Sequence, residues 1–186
     1  MTTLVVGASG ATGRLLVQQL LQRGEHVRVI VRSKESLPEE IASSDAVSII
    51  QASVLDLSDD EMIRHVRGCN AIASCLGHNL SFKGMFLSPR RLVTDATRRL
   101  CNAVKANEPL YPVKFVLMNT TGNRNRDLNE QVSTRQKFVI GLIRLLLPPH
   151  ADNEDAADYL RTVIGQDDGT TQWAVCLLYT SPSPRD

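Results

Sequence analysis

Aromatic residues are scarce in this 186-residue chain: they make up 4% of it, with four Phe, three Tyr and one Trp. The interior must therefore be built from Leu, Val, Ile and Ala, which is typical of parallel sheets covered by helices. No uninterrupted apolar run approaches the roughly 20 residues that a membrane-spanning helix requires. The first apolar run begins at Thr3, which leaves no room for a signal peptide. The sequence therefore predicts a cytoplasmic protein.

Net charge is also nearly absent, since 21 Lys and Arg residues face 20 Asp and Glu residues, giving +1. Nucleic-acid-binding domains usually carry a basic excess that neutralises phosphates. Direct binding to nucleic acid is therefore not expected, and enzymes and small-ligand binders are the classes that remain.

Cysteine and histidine do not occur at the spacings of metal or redox sites. The four cysteines lie at positions 69, 75, 101 and 176, without a C-x-x-C pair. They are predicted to be reduced thiols that pack as small apolar residues. No pair of histidines has metal-ligand spacing either, so no metal site is predicted.

Apolar strand patterns alternate with amphipathic helical patterns along most of the chain. This alternation predicts an α/β fold, a doubly wound parallel sheet with helices on both faces. Strands are predicted at 3–7, 26–31, 47–51, 71–76, 113–118 and 172–175. Helices are predicted at 11–23, 58–67, 89–105, 138–147 and 153–164, the last with Asp152 or Asn153 as its cap.

The last eleven residues, 176–186, change abruptly to a Ser- and Pro-rich string. The string resembles the translated adapter of a sequencing library, and on this interpretation the natural chain is cut near Val175 and the fold is C-terminally truncated. A natural disordered tail is the alternative. Either interpretation predicts one domain over 1–175 and an unstructured tail over 176–186.

Three glycines, Gly7, Gly10 and Gly13, lie between the first predicted strand and the first predicted helix. In this context they indicate a dinucleotide site: the first glycine permits the tight turn, the second lets the backbone approach a pyrophosphate, and the third allows close packing of helix and strand. The helix N-terminus adds unpaired amides. A turn that merely requires positive φ is the alternative. The further candidate ligands in this loop are Ser9, Ala11 and Thr12.

The end of the second strand selects between the two nicotinamide cofactors. An acidic residue there suits the ribose 2′-hydroxyl of NAD, whereas a basic residue suits the 2′-phosphate of NADP. The strand is followed by Arg32, Ser33 and Lys34, and the first two can form charge-assisted hydrogen bonds to a phosphate. NADP is therefore favoured over NAD, although Arg32 and Lys34 are also compatible with ordinary solvated cations.

These motifs, together with the Val-Leu-Asp-Leu run at 54–57 and Leu-Gly at 76–77, resemble the atypical short-chain dehydrogenase/reductases. The resemblance is to their NAD(P)H-binding group, which includes NmrA-like proteins and biliverdin or flavin reductases, and it covers 2–175. It implies a Rossmann-like domain in which Asp56 and Leu57 contact the adenine end. It also implies that Leu76, Gly77 and His78 run under the cofactor towards the nicotinamide, and that Thr121 lies near the substrate.

The Tyr-x-x-x-Lys pair of the classical reductases is missing, because none of Tyr111, Tyr159 and Tyr179 has Lys four positions later. Hydride transfer to a flavin-like or quinone-like acceptor needs less acid–base help, since the cofactor performs the difficult step. The resemblance thus implies an NADPH-dependent oxidoreductase that acts on a small flavin-like, quinone-like or carbonyl acceptor, with His78 and Thr121 as candidate catalytic residues. The alternative is an NmrA-like sensor that binds NADP without turnover and reports to a protein partner.

Overall fold

The structure, a computed structural model, describes residues 1–77, 91–120 and 148–178. Strands and helices alternate along these ranges, as the sequence predicts. In chain order they are β1 Thr2–Val6, α1 Ala11–Gln22, β2 His26–Val31, α2 Glu39–Ala42, β3 Val47–Gln51, α3 Asp59–Val66, β4 Ala71–Ser74, α4 Leu92–Ala106, β5 Val113–Thr120, α5 Pro148–Tyr159 and β6 Thr171–Leu178. A 3-10 turn covers Lys34–Ser36, and a π-helical turn, Leu160–Ile164, continues α5.

The six strands form one sheet in the order β3-β2-β1-β4-β5-β6, and every neighbouring pair is parallel. The order changes direction at β1, whose two neighbours are the second and the fourth strands of the chain. The predicted doubly wound, Rossmann-like fold is therefore confirmed. Within the described ranges, no helix combines the length and the apolar character that crossing a membrane requires.

Two apolar cores cover the two faces of the sheet. Val5 belongs to the core that packs under α1 and α2, whereas Leu4 and Val6 belong to the core under α3, α4 and α5. Successive residues of a strand point to opposite faces, so an unbroken apolar run such as Leu-Val-Val serves both cores. Among the described residues, Phe115 is the one aromatic residue in the fully buried core, in agreement with a core built mainly from aliphatic residues.

Several strand ends differ from their predicted positions. β4 ends at Ser74, two residues early, because the chain beyond it is diverted past Gly7. β5 continues to Thr120, and β6 continues through Cys176 to Leu178 because these residues pair with 118–120 of β5. The predicted boundary after Val175 is therefore wrong for 176–178, whose apolar Cys-Leu-Leu run is compatible with a strand. Tyr179 and the residues after it lie outside the described residues.

The helix predicted at 153–164 begins earlier than expected. α5 starts at Pro148, since proline fits the first turn of a helix, where no amide donor is needed. Asp152 and Asn153 therefore lie inside the helix, and neither of them caps it as the sequence suggested. The helix predicted at 138–147 lies outside the described residues.

Asp152 caps a different helix. Its carboxylate accepts hydrogen bonds from the first amides of α4, those of Val93 at 2.8 Å and Thr94 at 3.0 Å. The Thr94 hydroxyl donates to the same carboxylate at 2.6 Å. Asp152 is only 2% exposed, so these bonds fasten α5 to the start of α4 in the interior. Backbone amides at a helix N-terminus lack partners within the helix, which is why an acidic group stabilises them.

Replacing this carboxylate by an amide tests its contribution. We expect Asp152→Asn to lower the free energy of unfolding by about 1–3 kcal/mol, because one of its two oxygens becomes a donor that faces an amide donor. Asp45→Asn makes the same carboxylate-to-amide change at an exposed residue and should change the free energy of unfolding by less than about 0.5 kcal/mol. Urea unfolding measures both; equal stability of the two variants would show that Asp152 is not a structural cap.

Candidate functional site

The candidate site lies where the strand order changes direction, at the carboxyl ends of β1 and β4. The chain leaves β1 for α1 on one face of the sheet and leaves β4 for the other face, which holds α4. Open parallel sheets bind ligands in the crevice that this divergence creates. The glycine loop and Leu76–Gly77 both lie at this edge, as the sequence predicts.

Gly7 and Gly13 are required by close backbone contacts. Gly7 has a φ of +78°, and a Cβ added to it would lie 2.4 Å from the carbonyl oxygen of Cys75. A Cβ at position 13 would lie 2.2 Å from the carbonyl oxygen of Gly7. Both contacts involve backbone atoms, so no side-chain movement could relieve them. The turn, the helix and β4 therefore approach each other as the motif predicts.

Gly10 differs, because the described residues do not fill the space beside it. A Cβ added there would meet only the carbonyl oxygen of Gly7, at 3.3 Å. Gly10 precedes α1 and offers no side-chain cap, and the amides of Ala11, Thr12 and Gly13 find no acceptor among the described residues. The exposed Ser9 and the half-buried Thr12 flank these amides. The loop is therefore an open set of donors at the positive end of a helix.

The end of β2 carries both a cation and a carboxylate. Arg32 is exposed, and Ser33 begins the short 3-10 turn at Lys34–Ser36. The Ser33 hydroxyl donates a hydrogen bond to Glu35, and this bond holds the pKa of the Glu35 carboxyl below its usual value. Sequence reasoning found no carboxylate here and missed Glu35. The Ser-x-Glu spacing in a Ser-rich turn was the available signal.

The loop after β3 brings Asp56 to the same edge of the sheet. Asp56 is exposed, whereas the Leu57 side chain is 8% exposed and belongs to the apolar core. Any contact that Leu57 makes with a cofactor is therefore limited to its backbone. Arg99 of α4 donates hydrogen bonds to the carbonyl oxygens of this loop, a contact that the sequence did not reveal.

The chain after β4 continues the same edge of the sheet. Leu76 packs partly against the core, and Gly77 is exposed, with no atom of the described residues within 4 Å of an added Cβ. His78 and Thr121, the candidate catalytic residues, lie outside the described residues, as does the side chain of Thr120. The structure therefore describes the part of the candidate site that lies at the ends of β1 to β4.

Two of the cysteine thiols are not activated, because burial favours their protonated form. Burial raises the pKa of Cys75 to about 11 and that of Cys101 to about 12. All four cysteines are free; Cys69 and Cys101 are buried, as predicted for thiols that pack as small apolar residues, whereas Cys176 is exposed and departs from that prediction. Among the described residues, no group of three or more His, Cys, Asp or Glu side chains is arranged to hold a metal ion.

A cavity of about 500 Å³ lies at the other edge of the sheet. Its lining includes Met1, Asn70, Tyr111 and Lys114, which lie at or before the amino ends of β1, β4 and β5. None of the predicted site residues that the structure describes lines it. The open amides of α1 lie at the opposite, carboxyl edge of the sheet, and the crevice there is the better candidate for a ligand site.

Three solved structures share this fold. The oxidoreductase ylbE from Lactococcus lactis is 18% identical with a TM-score of 0.63, and the match covers 94% of this chain and 67% of that one. UDP-glucose 4-epimerase from Thermus thermophilus, in complex with NAD, is 19% identical with a TM-score of 0.64, over 94% and 54% of the two chains. A protein from Streptococcus pneumoniae, described as a candidate NADH-flavin reductase, is 19% identical with a TM-score of 0.57, over 95% and 71%.

The chain thus spans from about half to just over two thirds of these structures. Sequence comparison adds a second finding, because a family model described as NAD(P)H-binding matches residues 7–167. That match begins at the first glycine of the loop and includes every strand between β1 and β6. Since it covers most of the chain, the protein belongs to this NAD(P)H-binding family.

Proposed function

We propose that the protein is an NADP-dependent oxidoreductase that transfers a hydride to a small flavin-like, quinone-like or carbonyl acceptor. The observation that carries the proposal is the glycine loop, in which backbone contacts at Gly7 and Gly13 leave Gly10 open beside unpaired amides. This geometry fits a pyrophosphate, because its oxygens can accept hydrogen bonds from the amides without meeting a side chain. The exposed Ser9 hydroxyl is a further donor at the loop.

The preference for NADP rests on Arg32. Its side chain is exposed at the end of β2, where a 2′-phosphate would accept hydrogen bonds from the guanidinium. Glu35 opposes this preference, because its carboxylate accepts the hydrogen bond of the Ser33 hydroxyl and adds a negative charge nearby. Arg32 therefore carries the discrimination in favour of the phosphate, and Ser33 contributes less than the sequence alone suggests.

The chain's own residues would bind and orient the reactants rather than act as an acid or base. When bound, NADPH supplies the hydride from its nicotinamide ring. Leu76 and Gly77 leave β4 at the edge over which that ring would lie, and we propose His78 and Thr121 as substrate-side residues. The missing Tyr-x-x-x-Lys pair argues against classical alcohol–carbonyl chemistry and favours acceptors that need little proton transfer.

The same missing pair favours a second candidate function, a sensor that binds NADP and signals to a protein partner without turnover. NADPH oxidation with a panel of flavins, quinones and small carbonyls separates the two. Sustained multiple turnover, measured as a continuing loss of NADPH absorbance, would support the oxidoreductase. Tight NADPH binding without turnover on any acceptor class would contradict it and support the sensor.

The glycine loop predicts that two similar substitutions have different effects. Gly10→Ala should lower NADPH affinity by about tenfold or more, because the methyl group enters the open space. It should leave the unfolding midpoint within about 2 °C of the wild type. Gly13→Ala should lower the midpoint by roughly 4 °C or more, because its Cβ would meet the Gly7 carbonyl. Calorimetric titration and thermal unfolding measure both effects; unchanged NADPH affinity in Gly10→Ala would contradict the proposed phosphate site.

Replacing Arg32 should change the cofactor preference. We expect Arg32→Asp to weaken NADPH binding by about 10–100-fold, because a carboxylate repels the 2′-phosphate, while NADH binding stays equal or improves. Arg23→Asp makes the same charge change at an exposed site beyond the end of α1 and should leave the NADPH-to-NADH ratio unchanged. Fluorescence titration with both cofactors gives the ratio. A wild type that binds both equally would remove the basis for NADP preference.

A further inference from the structure

We propose that Arg99 is a positioning residue for the cofactor site, because it holds the loop at 53–59 in the shape that places Asp56 at the carboxyl edge of the sheet. The proposal deepens the proposed function and rests on it, since it assigns the adenosine side of the cofactor to this loop. Arg99 lies in the middle of α4, on the face of the sheet opposite to α1.

The guanidinium of Arg99 reaches acceptors at both ends of this short loop. Its Nη1 donates to the carbonyl oxygens of Val54 at 3.0 Å and Leu55 at 2.7 Å. Its Nη2 donates to the carbonyl oxygen of Leu57 and to the Asp59 carboxylate, the latter at 3.1 Å. Three of these acceptors are backbone atoms, so the contact fixes the path of the main chain and not only a side chain.

The two neighbouring arginines of α4 have different environments. The Arg99 side chain is 18% exposed. In the described part of the chain, all of its hydrogen bonds go to the 53–59 loop or to the start of α3. The Arg98 side chain is 53% exposed and pairs with Asp95 of its own helix at 2.9 Å. Arg98 is therefore a matched control, with the same chemistry at the adjacent position but no contact with the loop.

The loop at 53–59 links the carbonyl groups that bond to Arg99 to the carboxyl edge of the sheet, where the cofactor site is proposed. Its first residue follows Ala52, whose amide donates to the carbonyl of Val31 at 2.9 Å, immediately before Arg32. Within the loop, the amide of Asp56 donates to the carbonyl of Ser53 at 3.0 Å, which closes a turn. Asp56 is the last residue of this turn, and it is exposed between two carbonyl groups, those of Leu55 and Leu57, that bond to Arg99.

The far end of the loop is fixed independently. Ser58 and Glu61 form a capping box at the start of α3, with the Ser58 amide donating to Glu61 at 2.8 Å and the Glu61 amide to Ser58 at 3.3 Å. Ala52 and Ser58 therefore anchor the two ends, and Arg99 is the residue that orders the chain between them. A lysine could not replace it fully, since one ammonium cannot span acceptors that the guanidinium fork reaches from two nitrogens.

The test compares Arg99→Met with Arg98→Met in the full chain. Without cofactor, the amides of 53–57 should exchange hydrogen about tenfold or more faster in Arg99→Met, and unchanged in Arg98→Met. Arg99→Met should also bind NADPH and its fragment 2′,5′-ADP more weakly by a similar factor, about tenfold, because the lost order affects the adenosine half. Arg99→Lys should lie between the wild type and Arg99→Met in both measurements.

The outcomes separate this inference from the function on which it depends. If the wild type binds neither NADPH nor NADH, the proposed function fails, whatever the exchange rates show. If the wild type binds NADPH and Arg99→Met binds 2′,5′-ADP equally well, Arg99 serves only the fold and the inference is wrong. If Arg99→Met does not fold, Arg99→Lys decides: unchanged exchange at 53–57 and unchanged 2′,5′-ADP affinity overturn the inference.

Discussion

Close backbone contacts that only glycine permits join the first strand, the first helix and the fourth strand of this protein. The carbonyl oxygen of Gly7 occupies the place where a side chain at position 13 would begin, and the exit of β4 packs against Gly7 itself. Backbone atoms cannot rotate away from such contacts, so the direction of α1 relative to the sheet is fixed. The amides at its start therefore face the crevice before any ligand arrives, which lowers the cost of ordering a binding site.

The opposite face of the sheet is organised around α4. Asp152 caps its N-terminus, Arg99 in its middle bonds the loop after β3, and Asn107 at its C-terminal end donates to the Ile63 carbonyl at 2.9 Å. Each contact reaches a different element, and those of Asp152 and Arg99 satisfy backbone groups at a helix start and in a loop. One helix thus connects α5, the loop at 53–59 and the end of α3, so the shape of that loop depends on a residue far from the glycine loop.

Most of the sheet could be predicted from the sequence because its signals are local. The predicted bounds of β2 and β3 agree with the structure, and the Ser58 cap agrees with the predicted start of α3. The glycine spacing likewise predicts the turn, since it reflects contacts within one short stretch of the chain. The start of α5 and the role of Asp152 could not be predicted, because the partner of Asp152 lies 58 residues earlier in the chain. Arg99 is a similar case, since nothing in the Arg-Arg pair indicates which arginine faces the loop.

We propose that the open amides of the glycine loop bind the cofactor. Hydrogen exchange of the wild-type chain, measured with and without saturating NADPH, tests this because amides that donate to a bound phosphate exchange more slowly. Exchange should slow at 9–14 and at 31–33, and it should not change at 107–113, beside the cavity at the amino edge of the sheet. Unchanged exchange at 9–14, or protection confined to 107–113, would contradict the proposal.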